Sequence, residues 1–319
     1  MKKLYQSTLL LLMLCSANAL YAQLPPLFEQ YHLNQLVFNP AYAGSKGGIE
    51  AGFFLHRHST NVQGAPGTES FTLHTPLAND NVGLGLKIYH DKLGVTNNSF
   101  VGLDYAYRMH ISDHLTAAIG IEGSIANYKV DYSQLDAFIN GDPTFTKASE
   151  SYWSPDAGLG VYLHSDIYYV GLSVMSLSGL SANGNDNPDV AQDEKFDKVA
   201  TVYGTLGTLI KINDKLTIKP DLLIKITDSI PAQMDVNLNF IYNNVLLVGG
   251  GYRTNGSISF VGQYIFSTDN KITGHEAGLG YSYNTMLADD KVFISPSHEV
   301  FLTYRFYKHN NKFVNPRFF

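Results

Sequence analysis

The chain has 319 residues and is 45% hydrophobic and 13% aromatic but only 16% charged, with a mean hydropathy of −0.08. The near-neutral hydropathy excludes a bundle of apolar helices, and the length allows one large domain or two ordinary ones. A net charge of −6 and the lack of any Lys/Arg-rich run argue against a nucleic-acid surface.

Taken in chain order, Lys2 and Lys3 followed by the apolar run 9–14 read as a secretory signal, too short to span a bilayer. Cleavage is expected after Ala22, with Ala19 as the alternative. Leu14 ahead of Cys15 does not suit a lipoprotein site, so Cys15 is expected to leave with residues 1–22. The mature chain then has no disulfide or thiol chemistry. Residues 23–47 form an N-terminal periplasmic or plug segment. Its stretch Phe38, Asn39, Pro40, Ala41, Tyr42, Ala43, Gly44 is too rich in Asn, Pro and Gly for a helix and too apolar for a simple linker.

From residue 48 the chain alternates with period two, the signal of strands. Val101, Leu103, Tyr105, Tyr107 and Met109 share one face, and Gly102, Asp104, Ala106 and Arg108 the other. Leu115, Ala117, Ile119 and Ile121 oppose Thr116, Gly120, Glu122 and Ser124. Leu216, Ile218, Leu222, Ile224 and Ile226 oppose Thr217, Lys219, Asp221 and Lys225. Val300, Leu302, Tyr304 and Phe306 oppose Glu299, Thr303 and Arg305. A soluble sandwich also alternates, but an exported chain of many such segments fits an all-β, transmembrane, antiparallel up-and-down β-barrel over residues 48–307. About fourteen strands are expected, starting near residues 48, 67, 82, 99, 115, 155, 167, 199, 215, 232, 245, 257, 274 and 299. Short connections at 110–114, 165–166, 211–214 and 243–244 alternate with long ones at 129–153, 176–198 and 284–298. That alternation predicts short periplasmic turns, long outer loops and both termini in the periplasm, in the bacterial outer membrane. The outer connections near 227–231 and 254–256 are short, which flattens one side of the rim. Residues 308–319 form a periplasmic C-terminal tail ending in Asn315, Pro316, Arg317, Phe318 and Phe319.

The Gly-Leu-Gly triplets at 83–85, 158–160 and 278–280 lack the third Gly and the helix of a dinucleotide site. Their register, with that of Gly249 and Gly251, puts the glycines on the polar, luminal face. Wall curvature explains them simply; the sharper reading is a bare wall against which the segment carrying Phe38–Gly44 packs. His56 and His58, with His74 expected nearby, form a polar cluster rather than a metal site, since further ligands are lacking. In the loop 183–197, Asn183, Asn185, Asn187 and Asp189 alternate as in a calcium loop. However, Pro188 stands where an EF-hand needs Gly and no Glu closes it, so a solvated loop without calcium, and no cofactor, is the simpler reading. The hydrolase motifs Gly-x-Ser-x-Gly and His-Glu-x-x-His are missing, which argues against an enzyme. The luminal charges Asp104, Arg108, Glu122, Lys219, Asp221, Lys225 and Arg305 have mixed signs, which suits internal ion pairs better than an ion-selective pore.

Five stretches in order resemble the PorP/SprF family of the type IX secretion system: QLVFNPAYAG (35–44), GAPGTESFTLHTPL (64–77), GLGLKIYHDKLG (83–94), SHEVFLTYRF (297–306) and NPRFF (315–319). The Arg-Gln-aromatic-Trp run usual before the Gly-Ala-Pro element is replaced here by HRHSTNVQ. The resemblance implies an outer-membrane barrel that works with secretion components, including periplasmic or lipoprotein partners. It also implies a barrel that docks and anchors the C-terminal domain of a large surface adhesin, in some cases for gliding. Aromatic residues of the expected outer loops, Tyr132, Phe138, Phe145, Tyr152, Trp153, Phe196 and Phe293, are the candidates for that contact. For Tyr152 and Trp153 an interfacial aromatic girdle is the alternative. The rival family is the FadL-like long-chain fatty-acid channels, plugged barrels whose plug carries the Asn-Pro-Ala triplet matched by residues 39–41. That reading makes the lumen a path for a hydrophobic small molecule.

Overall fold

Backbone N–H and C=O groups cannot be left unpaired in hydrocarbon, so alternating strands that cross a membrane must pair until the sheet has no edge. The computed structural model, which describes residues 30–58, 64–77, 80–132, 149–179, 199–228, 230–269, 273–286 and 296–308, shows that closure. The strands are β1 (Gly48–His58), β2 (Gly67–Pro76), β3 (Val82–Leu93), β4 (Thr96–Ser112), β5 (Leu115–Val130), β6 (Glu150–Ser165), β7 (Tyr168–Met175) and β8 (Thr201–Thr208). They continue with β9 (Ile210–Lys211), β10 (Leu216–Thr227), β11 (Ile230–Tyr242), β12 (Leu246–Arg253), β13 (Ser257–Asp269), β14 (Thr273–Met286) and β15 (Ser297–Lys308). β9 is a two-residue continuation of β8 beyond Leu209, and both pair with β10, so the wall has fourteen staves. Each stave pairs antiparallel with its chain neighbours, and β15 returns to β1 from Gly48↔Tyr307 to His58↔Ser297.

The sheet is inside out relative to a soluble protein. Leu103 is 63% exposed and Ile119 53%, while Asp104 and Glu122 on the opposite face are 3% and 5% exposed. The outer face carries a band of Leu, Ile, Val, Phe and Tyr; the inner face carries most of the charge. This arrangement is stable only where lipid covers the outside. β1 starts and β15 ends at the same end of the barrel, which also carries the tight connections after β4, β6, β9 and β11. At the last of these, Asn243 and Asn244 have φ of 50° and 57°, the paired left-handed conformation that joins twisted strands in two residues.

The wall is taller than the alternation suggests on one side. β4 begins at Thr96 rather than near 99, and β6 at Glu150 rather than near 155. The added rungs, Thr96↔Val130 to Asn98↔Tyr128 and Val130↔Glu150 to Tyr128↔Tyr152, are built mainly from polar residues beyond the apolar band. There is no hydrophobic alternation there to mark them. Tyr152 and Trp153 are therefore strand residues of β6, not loop residues. Trp153 is 61% exposed and its register matches Leu159 and Val161 on the lipid side, whereas Tyr152 has the opposite parity. β15 runs through Lys308, one residue further than expected.

Candidate functional site

Inside the wall lies the chain's own segment, residues 30–47. Three short 3-10 turns, Tyr31–Leu33, Gln35–Val37 and Pro40–Tyr42, give it a compact, irregular course. Asn39 governs the last of them. It holds an extended backbone (φ −141°, ψ 111°), its side-chain oxygen accepts from Ala41 N at 2.9 Å, and Pro40 fills the first position, where no N–H is needed. Its amide nitrogen also donates to the Val161 carbonyl of β6 at 2.9 Å, so one side chain both shapes the turn and ties it to the wall.

An irregular segment leaves carbonyls unpaired, and the wall supplies the missing donors. Lys219 Nζ donates to His32 O at 3.3 Å, Lys87 Nζ to Leu36 O at 3.1 Å, Ser173 Oγ to Phe38 O at 2.6 Å and Arg305 Nη2 to Lys46 O at 2.7 Å. In the other direction, Tyr31 OH donates to Asp235 O at 3.1 Å and Gly44 N to His74 Nδ1 at 3.2 Å. The cations are themselves neutralised. Lys87 sits between Asp104, at 3.1 Å, and Glu122; Lys219 is 3.6 Å from Asp221; Arg305 is 3.7 Å from Glu276. Tyr169 OH donates to Asp221 at 2.8 Å, and Arg253 Nε to Asp235 Oδ2 at 2.8 Å. Most luminal charges named from the sequence thus form a cradle for the segment. Arg108 and Lys225 are also buried on the luminal face.

Apolar contact does the rest. Leu36, Ala41, Tyr42 and Ala43 pack with Ala106, Ala118, Tyr162 and Tyr169 of the wall. Tyr31 and Phe38 pack with Met175, Tyr203 and Leu223, and Leu33 with the cluster of Phe54, Ile241, Leu247, Val261 and Phe301. The wall is bare where the backbone of the segment comes closest. A methyl group at Gly83 would overlap the Ala43 carbonyl, and one at Gly120 would overlap the backbone of Pro40 and Ala41. Gly160 makes room for Asn39, and Gly85 for Leu36. The remaining luminal glycines serve the wall instead. Gly158 accommodates Met175, Gly249 and Gly251 accommodate Asn239 and Asn237, and Gly278 and Gly280 accommodate Gln263 and Phe301. Gly120, Gly171, Ala106 and Ala118 join the bare wall without having been singled out; their signal was small size at luminal register.

Burial and the nearby Lys219 push the His32 imidazole well below its usual range, so it is neutral at physiological pH. Burial draws Lys46 down to about 8, against the opposing pull of Glu50. A cavity of about 70 Å³ remains beside the segment, lined by His32, Lys46, Glu50, Lys219, Glu276 and Arg305 among others. A second, of about 60 Å³, lies against Phe38. Both are far below the ~300–1,000 Å³ of a typical small-molecule pocket.

Other sites read from the sequence are not assembled. His74 lies opposite Glu50, six residues along β1 from His56, because the β1–β2 register pairs His56 with Thr68. His74 instead contacts Gly44 and Tyr42 of the segment. His56 and His58 face each other with ring nitrogens 2.8 Å apart, and Glu299 is 3.5 Å from His56. Among the described residues no group of three or more His, Cys, Asp or Glu is placed to hold a metal ion. Tyr132 stands just past β5, its hydroxyl 3.5 Å from Glu150. Phe138, Phe145, Phe196, Phe293, the loop 183–197 and the tail residues Asn315–Phe319 lie outside the described residues.

A closed antiparallel sheet with an apolar outer band and a charged interior defines an outer-membrane β-barrel. The chain belongs to the family of type IX secretion system membrane proteins PorP/SprF, whose model matches residues 20–304. No curated protein matches it. Among solved structures it is similar to a Pseudomonas aeruginosa FadL homologue, at 11% identity over 89% of this chain and 94% of that one, with a TM-score of 0.42. It is also similar to the CymD monoaromatic hydrocarbon channel, at 9% identity over 88% and 94% and a TM-score of 0.48. The Pseudomonas putida toluene transporter TodX matches at 9% identity over 88% and 94%, with a TM-score of 0.45.

Proposed function

We propose that this outer-membrane component of type IX secretion is a closed barrel that docks and anchors a large surface adhesin by its C-terminal domain, while a separate pore carries out translocation. The observation that carries the reading is the occupied lumen. A segment held by side chains from β2, β3, β7, β10 and β15 and by a backbone carbonyl of β6 leaves no path for a folded adhesin. The docking surface would be the end opposite the tight turns, where β4, β5 and β6 extend beyond the apolar band and Tyr132 stands. On this reading residues 1–22 are removed on export, both termini face the periplasm, and the tail 309–319 is available to periplasmic components.

The test is purification of the tagged, full-length protein from its own cells in mild detergent, followed by mass spectrometry. The reading expects secretion-system proteins together with the C-terminal region of a large secreted protein. Recovery of secretion components with no such substrate, or of a bound hydrophobic small molecule instead, would overturn the anchoring role.

A further inference from the structure

The outer face of β3 to β6 changes character rung by rung toward the end opposite the termini. Ile88, Val101, Ile125 and Pro155 stand side by side on one rung. Two residues further along each strand, His90, Ser99, Asn127 and Trp153 form the next. Two further still, Lys92, Asn97, Lys129 and Ser151 form the third. The register is unbroken from rung to rung, so these side chains share the outward face. The first rung suits hydrocarbon. The second, with its Trp and short polar groups, suits the membrane interface, which puts the third at headgroup level.

The third rung carries charge without a counter-charge of its own. Lys92 and Lys129 are exposed, and neither makes an ion pair or side-chain hydrogen bond among the described residues. Asn97, between them, makes no side-chain hydrogen bond there either. Neighbouring carboxylates are engaged or set apart. Glu69 is held by Arg57, Asp91 accepts from Thr68 Oγ1, and Asp131 lies past the last rung that joins β4 and β5. On the second rung, Asn127 Nδ2 donates to Ser151 Oγ at 2.8 Å, and His90 Nδ1 meets Ser99 Oγ at 3.0 Å. The charge is also one-sided. Among the described residues, the outward Lys and Arg side chains near this end are Arg57, Lys92 and Lys129, on β1, β3 and β5. Near the same end β10, β12 and β14 turn Ile226, Tyr252 and Met286 outward instead.

We infer that this face binds one phosphorylated glycolipid of the outer leaflet. Its phosphate sits between Lys92 and Lys129, and its acyl chains lie along the apolar rungs below. The two lysines start two strands apart, about 10 Å, so their flexible ammonium groups can close on one anion. A free anion would meet exposed cations that salt screens. A lipid is already held at this height by the apolar band, so less freedom is lost when its phosphate reaches them. The amide of Asn97 and the hydroxyls of Ser99 and Ser151 suit the hydroxyl groups of a sugar, which a plain phospholipid does not offer here. Assignment to the outer leaflet rests on the orientation given above; the chemistry of the face does not.

The experiment is native mass spectrometry of the purified full-length barrel in detergent with added diphosphoryl lipid A, with folding of every variant checked by heat-modifiable gel migration. One lipid A should bind saturably, and more weakly as salt is raised. Lys92→Gln combined with Lys129→Gln should weaken binding about tenfold or more. Lys215→Gln, an exposed cation at the other end, should leave it unchanged. Fully dephosphorylated lipid A and phosphatidylglycerol should each bind about tenfold or more weakly than the diphosphoryl form, and inorganic phosphate should not displace it. Should the double variant fail to fold, the salt series and the dephosphorylated lipid carry the comparison. Absence of saturable binding, a folded double variant that binds as the wild type, equal binding of phosphatidylglycerol, or displacement by inorganic phosphate would each overturn the inference. Binding in detergent does not depend on orientation. Lipid A binding by a barrel whose β3–β6 end proves periplasmic would keep the site and defeat its outer-leaflet assignment; the expected orientation without binding would do the reverse.

Discussion

Two hydrogen atoms, the side chains of Gly83 and Gly120, decide whether the inner segment fits. Gly83→Ala and Gly120→Ala each push a methyl group into segment backbone that neighbouring contacts hold in place. Overpacking of this kind costs about 1–3 kcal/mol. Gly262→Ala is the control, since nothing lies within 4 Å of its added carbon. In urea titrations of the reconstituted barrel, the first two variants should unfold at lower urea and the third as the wild type. Asn39→Ala removes both the turn cap and the bond to Val161. It should cost about 1–2 kcal/mol in the same titration and speed proteolysis of residues 30–47. Asn39 and Pro40 were legible as turn-forming residues because their chemistry is local. The role of His74 was not, since a histidine two strands from its partners in sequence is placed by register, which alternation alone leaves open.

At the scale of elements, alternation located every stave because each crosses an apolar band with one face in lipid. Strand ends were legible only where the band ends with them. The polar extensions of β4, β5 and β6 carry no such mark, which is why Tyr152 and Trp153 read as loop residues. Luminal Leu223 and Phe301 also break the polar pattern of their faces, for the reason that they pack against the segment's neighbourhood rather than water. The alternating lengths of the connections make the topology testable. An epitope inserted at 254–256, between β12 and β13, should be accessible to antibody on intact cells; one inserted at 243–244 should become accessible only after the outer membrane is permeabilised. The opposite pattern would turn the barrel over and remove the proposed docking face from the cell surface.

For the molecule as a whole, a charged interior has two physical outcomes. Water fills it and ions pass, or polypeptide fills it and the charges become hydrogen-bond donors and counter-ions for backbone. Mixed luminal charge hinted at the second, but only the structure pairs Lys87, Lys219 and Arg305 with carbonyls of the segment. The chain belongs to a secretion family, and the segment inside its barrel makes conductance the property to measure. Single-channel recording in planar bilayers tests this most directly. Wild-type protein should stay near the baseline current, and a variant lacking residues 24–45, folded by the same gel criterion, should show stable ionic steps. A wild type that already conducts like an open porin, or a deletion that leaves the current unchanged, would contradict the account.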